Sequence, residues 1–227
     1  MVTNEIFYSI QGEGLLTGVP SVFIRLAGCP LRCTWCDTKY ALDPAAGDDL
    51  TIEQIIDKID NIPSSPNYER RTTNYEYVVI TGGEPMINPQ LPQLATELKK
   101  RQKHITIETA GIKFIPDIPC DLMSISPKLS NSGKKVPDTF FHIRQLIEHY
   151  PYQLKFVVDT PDDLAEIRQA LKLFGVVDPA RIMLMPQAQT REELIAKSPT
   201  AAELCKQTGF TFCNRLQILL YNGQRGK

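Results

Sequence analysis

Hydrophobic positions along this 227-residue chain follow two alternating periods. Short apolar runs of strand length stand at Ser21–Ala27, Tyr77–Ile80, Ile105–Glu108, Leu122–Ser126, Leu154–Val158 and Ile182–Met185. Between them the spacing turns helical: Leu91, Leu94, Ala95 and Leu98 share one face of a segment running to Arg101. Thr51-Ile52-Glu53-Gln54 has capping-box spacing and opens a helix to about Asn61. Phe140–Tyr150 reads as a further helix. Thr160, with Pro161 at the first helical position, opens the next. Thr190-Arg191-Glu192-Glu193 caps a last one that runs into Thr200–Thr208. Strands alternating with helices predict an α/β fold with a parallel sheet. In such folds the chemistry sits at the C-terminal ends of the strands. The segment 61–76, with Pro63, Ser64, Ser65, Pro66 and Asn67, reads as a surface loop or insertion within one domain spanning 1–227.

Candidate chemistry is concentrated just past the first of these strands. Cys29, Cys33 and Cys36 fall in eight residues with C-x3-C-x2-C spacing. Thiolates are soft ligands for zinc or for an iron–sulfur cluster. A structural zinc closes with four protein ligands, and no fourth is local: the nearest histidine is His104 and the next cysteine Cys120. Three thiolates on a four-iron cube leave one iron open to a small molecule. A zinc site completed from afar by Cys120, Cys205 or Cys213 is the competing reading; otherwise these three are buried small residues. A disulfide framework is not expected, because the start Met1-Val2-Thr3-Asn4-Glu5 has neither a basic nor an apolar leader region.

The surroundings of the cysteines carry a resemblance. Gly28 to Thr38, with Trp35 before the last cysteine, resembles the cluster loop of the radical S-adenosylmethionine (SAM) superfamily. Thr81-Gly82-Gly83-Glu84-Pro85, directly after an apolar run, resembles that superfamily's GGE segment; glycines there let a ligand approach the backbone closely. Glu5–Gly14, Gly18–Leu26, Glu108–Gly111, Ser126–Lys128, Met185–Gln187, Arg215–Ile218 and Arg225-Gly226 together resemble the 7-carboxy-7-deazaguanine synthase family over essentially the whole chain.

That resemblance implies a partial, incomplete TIM-type barrel with a radical SAM core. It implies a lyase that converts 6-carboxy-5,6,7,8-tetrahydropterin to 7-carboxy-7-deazaguanine in queuosine biosynthesis. Cys29, Cys33 and Cys36 would hold a 4Fe-4S cluster, and Thr38 a magnesium ion, a hard cation suited to its hydroxyl. Trp35, Gly83, Glu84, Ser126, Pro127, Lys128, Gln187, Ala188, Gln189 and Thr190 would contact SAM. Ile10, Gln11, Gly12, Glu13, Arg25, Thr81 and, at the chain end, Lys227 would contact the pterin. Arg25 is suited to forking a carboxylate. In isolation it would read as a structural ion pair, and Lys128 as a solvated surface lysine. The family further implies a homodimer; the sequence does not give the electron donor, for which flavodoxin is the expectation.

Composition removes other classes. A net charge of −1 gives no electrostatic footprint for nucleic acid. Arg70-Arg71 beside Glu69 reads as a solvated loop. No apolar run approaches the ~18 residues of a transmembrane helix, so the cytoplasm is the expected compartment. Two rivals stay open. A glycyl-radical activase shares the cysteine spacing but needs neither Gln11–Gly14 nor Thr38. A zinc-stapled binding module would be colourless.

Overall fold

A computed structural model describes residues 1–62, 76–133 and 139–227. Nine strands build one sheet: β1 Val2–Ile10, β2 Pro20–Leu26, β3 Asp48–Asp49, β4 Tyr77–Gly82, β5 His104–Thr109, β6 Leu122–Ile125, β7 Tyr152–Val158, β8 Ile182–Pro186 and β9 Thr211–Phe212. Their order is β3-β1-β2-β4-β5-β6-β7-β8-β9. From β2 to β9 every pairing is parallel, while β1 runs antiparallel to β2 and to β3. The sheet does not close, because β3 and β9 are its two edges. An open, mostly parallel sheet with most of its helices packed on one face is the incomplete barrel that the resemblance implied.

The helices are α1 Ile52–Asp60, α2 Leu91–Lys100, α3 Thr139–His149, α4 Asp163–Phe174, α5 Arg191–Thr208 and α6 Leu216–Tyr221. Alternate strand residues point to opposite faces. Ile24, Ile80, Ile107, Ile125, Leu154, Phe156 and Leu184 face outward and pack with Leu94, Leu98, Ile143, Leu146 and Ile167 into the main core. The inward residues are of another kind: Arg25, Thr81, Glu108, Ser124, Gln153 and Lys155 lie one position away on the same strands. Register carries them across the sheet, Arg25 opposite Thr81, Glu108 opposite Ser124, and Ser124 opposite Gln153.

Two local expectations meet the structure differently. The capping box at Thr51 forms, with Gln54 N–H donating to Thr51 Oγ1 at 3.2 Å and Thr51 N–H to Gln54 Oε1 at 2.9 Å. The helix expected to open at Thr160 begins instead at Asp163. The buried Asp163 carboxylate accepts from Asp159 N–H at 2.6 Å and Thr160 N–H at 3.0 Å, folding the segment into a turn ahead of the helix. Strand β1 was not expected, because residues 2–10 lack a clean apolar alternation. It forms against β2, where Phe7 and Phe23 are direct cross-strand partners with rings stacked 5.1 Å apart. Most of the expected 61–76 loop lies outside the described residues.

Candidate active site

The C-terminal ends of the parallel strands surround a cavity of about 540 Å3. The cysteine loop leaves β2 at its rim and is tied back by its own backbone. Gly28 N–H donates to Ala41 O at 2.9 Å, Cys29 N–H to Leu42 O at 3.1 Å and Thr34 N–H to Ser132 O at 3.1 Å. Cys29, Cys33 and Cys36 all line the cavity and none is in a disulfide. Burial pushes the Cys29 thiol up, a cost that a bound cation would relieve. Among the described residues no three His, Cys, Asp or Glu side chains are grouped as a single metal ion requires. Three thiols on one wall, none in a disulfide and with no fourth ligand grouped with them among the described residues, fit a larger cluster with an open corner better than they fit zinc.

Beside them, Trp35 donates from Nε1 to Asn131 O at 3.0 Å and packs against Val157, Met183, Met185 and Cys213. Lys128 stands with Nζ 5.3 Å from the Trp35 ring centre and donates to Ser126 Oγ at 2.9 Å. This corner joins an aromatic plane, an apolar wall and a cation, features that suit a charged adenosyl compound.

Gly83 also lines the cavity, but its immediate neighbour is protein. A Cβ there would run into the backbone of Gly28 and Cys29. Gly83 N–H donates to Leu26 O and Glu84 N–H to Gly28 O, each at 2.8 Å. The glycine is therefore required by close packing of β4 on the cysteine loop, before any ligand is considered. Glu84 turns away from the cavity. Its carboxylate accepts from Thr109 Oγ1 at 2.7 Å, Ala110 N–H at 2.8 Å and Met86 N–H at 3.1 Å, and burial raises its pKa. It ties the ends of β4 and β5 together.

Of the expected SAM contacts further along, Ser126, Lys128 and Gln189 line the cavity, whereas Pro127, Gln187, Ala188 and Thr190 do not. Gln187 Oε1 accepts from Lys197, and Thr190 Oγ1 caps α5 by accepting from Glu193 N–H at 3.2 Å. On the opposite wall Ile10, Gln11, Gly12, Glu13, Arg25, Thr81 and Lys227 all line the space, as does Thr38. Thr38 Oγ1 donates to Asp37 Oδ1 at 2.9 Å. A hydroxyl and a carboxylate side by side are the hard oxygen donors magnesium prefers.

Arg25 Nε donates to Glu5 Oε1 at 2.7 Å, and its guanidinium lies 5.8 Å from the Phe7 ring centre and 5.9 Å from that of Tyr40. Burial works against the Glu5 charge, but hydrogen bonds from Arg25 and Arg225 outweigh it and hold the carboxyl below its usual range. Arg225, near the chain end, donates to Glu5 Oε2 at 3.0 Å and lies 4.3 Å over Tyr40.

The sequence reading expected Glu13 here but not the charges that pair with it at the cavity floor. Lys155 Nζ, on β7, donates to Glu13 Oε2 at 2.9 Å and to Glu108 Oε1 at 3.3 Å. Glu108 also accepts from Thr81 Oγ1 at 3.0 Å and Gln11 Nε2 at 3.3 Å. Arg215 Nε donates to Glu13 Oε1 at 3.1 Å and Gln217 Nε2 to the same oxygen at 2.7 Å. Burial opposes ionisation of Glu13, yet the Lys155 and Arg215 charges prevail and keep its carboxyl well below the ordinary range. Lys155 in turn is desolvated but held above its ordinary range by Glu108 and Glu13. A lysine inside the apolar run Leu154–Val158 was the available signal for an inward polar face. Arg215 had only its place in the family-like segment Arg215–Ile218, which carries no periodicity.

The model of the Radical SAM superfamily matches residues 23–128, the segment that holds the cysteine loop, Gly83 and Lys128. A 7-carboxy-7-deazaguanine synthase of Rhodopirellula baltica is 36% identical over all of this chain and 88% of its own length. One from Pyrobaculum aerophilum is 36% identical over 98% of this chain and 96% of its own. The crystal structure of QueE from Escherichia coli superposes with a TM-score of 0.70 at 27% identity, covering 95% of this chain and 93% of that one. With the likeness running the full length of the fold and of the cavity built on it, the chain belongs to the 7-carboxy-7-deazaguanine synthase family of radical SAM enzymes.

Proposed function

We propose that this chain converts 6-carboxy-5,6,7,8-tetrahydropterin to 7-carboxy-7-deazaguanine with loss of ammonia, as a radical SAM lyase of 7-deazapurine (queuosine) biosynthesis. The observation that supports it best is that three cysteines outside any disulfide share one cavity with a buried ionic floor. A cluster held by Cys29, Cys33 and Cys36 supplies, when loaded, the electron that cleaves SAM. The protein's own task is to hold two ligands in register and keep water from the reacting face.

SAM is proposed to lie along Trp35, Gly83, Ser126 and Lys128, with Gln189 beside it. The backbone of Glu84 after β4, of Pro127 after β6, and of Gln187, Ala188 and Thr190 after β8 is proposed to support these contacts. The flat pterin is proposed to lie between that wall and Ile10–Glu13. Its amino-pyrimidinone edge presents N–H donors, which carboxyl oxygens of Glu13 and Glu108 would accept. Thr81, already bonded to Glu108, completes that edge. The substrate carboxylate is assigned to Arg25, whose Glu5 partner fixes its plane, with Lys227 near the cavity mouth. Magnesium is proposed at Thr38 and Asp37, where it would neutralise the same carboxylate. An external one-electron donor such as flavodoxin, a homodimer and a cytoplasmic setting complete the proposal. No described helix is long and apolar enough to cross a membrane.

Anaerobic reconstitution with iron and sulfide, followed by turnover of the carboxy-tetrahydropterin, tests this directly. Brown protein that forms 7-carboxy-7-deazaguanine is expected; a cluster-loaded protein that cleaves SAM but never releases this product overturns the substrate. Thr38→Ala is expected to lose magnesium stimulation of turnover. Equal stimulation in wild type and variant removes Thr38 from the site.

A further inference from the structure

Arg215 lies between β9 and α6, with its side chain 5% exposed. Three nitrogens of its guanidinium reach three different loops. Nε donates to Glu13 in the β1–β2 loop at 3.1 Å. Nη1 donates to the Ala188 carbonyl in the β8–α5 loop. Nη2 donates to the Asp37 carboxylate, between Cys36 and Thr38 in the cysteine loop. The neighbouring residues fasten the same region: Leu216 N–H donates to Gly12 O at 2.9 Å, and Gly14 N–H to Cys213 Sγ at 3.1 Å. A planar fork with fixed donor directions can serve three acceptors at once; a lysine ammonium at the same place cannot reproduce those directions.

We infer that Arg215 is a positioning residue that couples the pterin loop, the SAM loop and the cysteine loop, so that filling one ligand site tightens the other. This rests on the proposed assignment of Glu13 to the pterin and of the 187–190 loop to SAM. A pterin that draws Glu13 inward moves the guanidinium, and the guanidinium carries the Ala188 carbonyl and Asp37 with it. Such coupling is reciprocal: the pterin must strengthen SAM binding by the same factor by which SAM strengthens pterin binding.

The test is equilibrium dialysis of SAM against anaerobic, cluster-loaded protein, with and without the carboxy-tetrahydropterin. For the wild type the dissociation constant of SAM is expected to fall by about fivefold or more when the pterin is present. In Arg215→Lys, at wild-type iron content, that ratio is expected to collapse to within about twofold of unity. Hydrogen exchange gives a second readout on the same samples. Amides of 12–16 and of 187–190 should exchange faster together in the variant, with β7 unchanged. Full coupling in Arg215→Lys, or faster exchange in one loop only, overturns the inference. Should Arg215→Lys lose its cluster, hydrogen exchange of the cluster-loaded wild type decides: the pterin alone should slow exchange of the 187–190 amides, and unchanged exchange there overturns the inference. Wild type that binds both ligands independently also refutes it. Wild type that binds neither refutes the functional reading on which it rests.

Discussion

Lys155 and Phe156 are neighbours on β7 and almost equally buried, at 3% and 0% exposed, yet they stand on opposite faces of the sheet. Phe156 belongs to the apolar layer between sheet and helices. Lys155 belongs to an ionic floor held by Glu13 and Glu108. The outer face gains from removing apolar surface from water, and it tolerates any sequence that fills the volume. The inner face spends burial on charges that must be paired to be tolerable. Equal burial therefore means opposite things: on one face it stabilises the fold, on the other it shapes a polar cavity for a flat, polar substrate.

The largest effect on stability is expected at Phe156→Ala, which should lower the unfolding free energy by about 3–5 kcal/mol in urea titration. Turnover per folded molecule should be retained, since the residue faces away from the cavity. A variant that unfolds no more easily but loses turnover would break the division between the faces.

Lys155→Met should do the reverse. The volume is roughly kept and Glu13 still has Arg215 and Gln217, so a smaller stability loss of about 1–3 kcal/mol is expected. Product formation should fall by about a hundredfold, because Glu13 and Glu108 lose the cation that orients them toward the substrate. Steady-state kinetics beside a melt of the same sample separates the two numbers. A more stable variant with normal kinetics would make Lys155 a packing residue.

Gly83→Ala sharpens the comparison where the two faces meet the cysteine loop. The added methyl must displace the backbone of Gly28 and Cys29, so lower iron content after reconstitution is expected, with a stability loss of about 1–3 kcal/mol. Iron at the wild-type level with weakened SAM binding would instead show that the glycine serves only the ligand.

The smallest effect expected is on acid stability. The folded Glu13 carboxyl titrates below its ordinary value of 4.5. Its contribution is therefore complete above that value and is lost as the pH falls through and below it. Glu13→Gln should remove about 1–2 kcal/mol at neutral pH and flatten the acid limb below about pH 4.5. Urea unfolding at stepped pH checks this, and parallel acid limbs in wild type and variant would contradict the pairing.

The outer face was legible in the chain because its physics is local and periodic. Six strands and the α1 and α2 faces follow from apolar spacing, and the caps at Thr51 and Thr190 from short-range hydrogen bonding. The cysteine loop was legible for the same reason, with three ligands in one stretch of backbone. Thr160 misled because a competing local bond won: the buried Asp163 side chain captured the amides of Asp159 and Thr160 and folded the segment into a turn ahead of the helix. Strand β1 was illegible because both its faces are half-buried, so neither alternation nor a solid apolar run marks it.

The sequence by itself determined that strands alternate with helices, that three thiolates stand together, and that the chain resembles radical SAM enzymes. Only the tertiary structure decided that Glu13, Lys155, Glu108 and Arg215 share one floor. Their separations run to about two hundred residues, between Glu13 and Arg215. No periodicity or spacing rule reaches that far; strand register sets Glu108 and Lys155 on one face, and the loops after β1 and β9 bring Glu13 and Arg215 over it. The sheet also decided that Glu84 faces inward to Thr109 and away from the ligand space. That outcome follows from geometry at a strand end, where a single residue's turn reverses which way a carboxylate points.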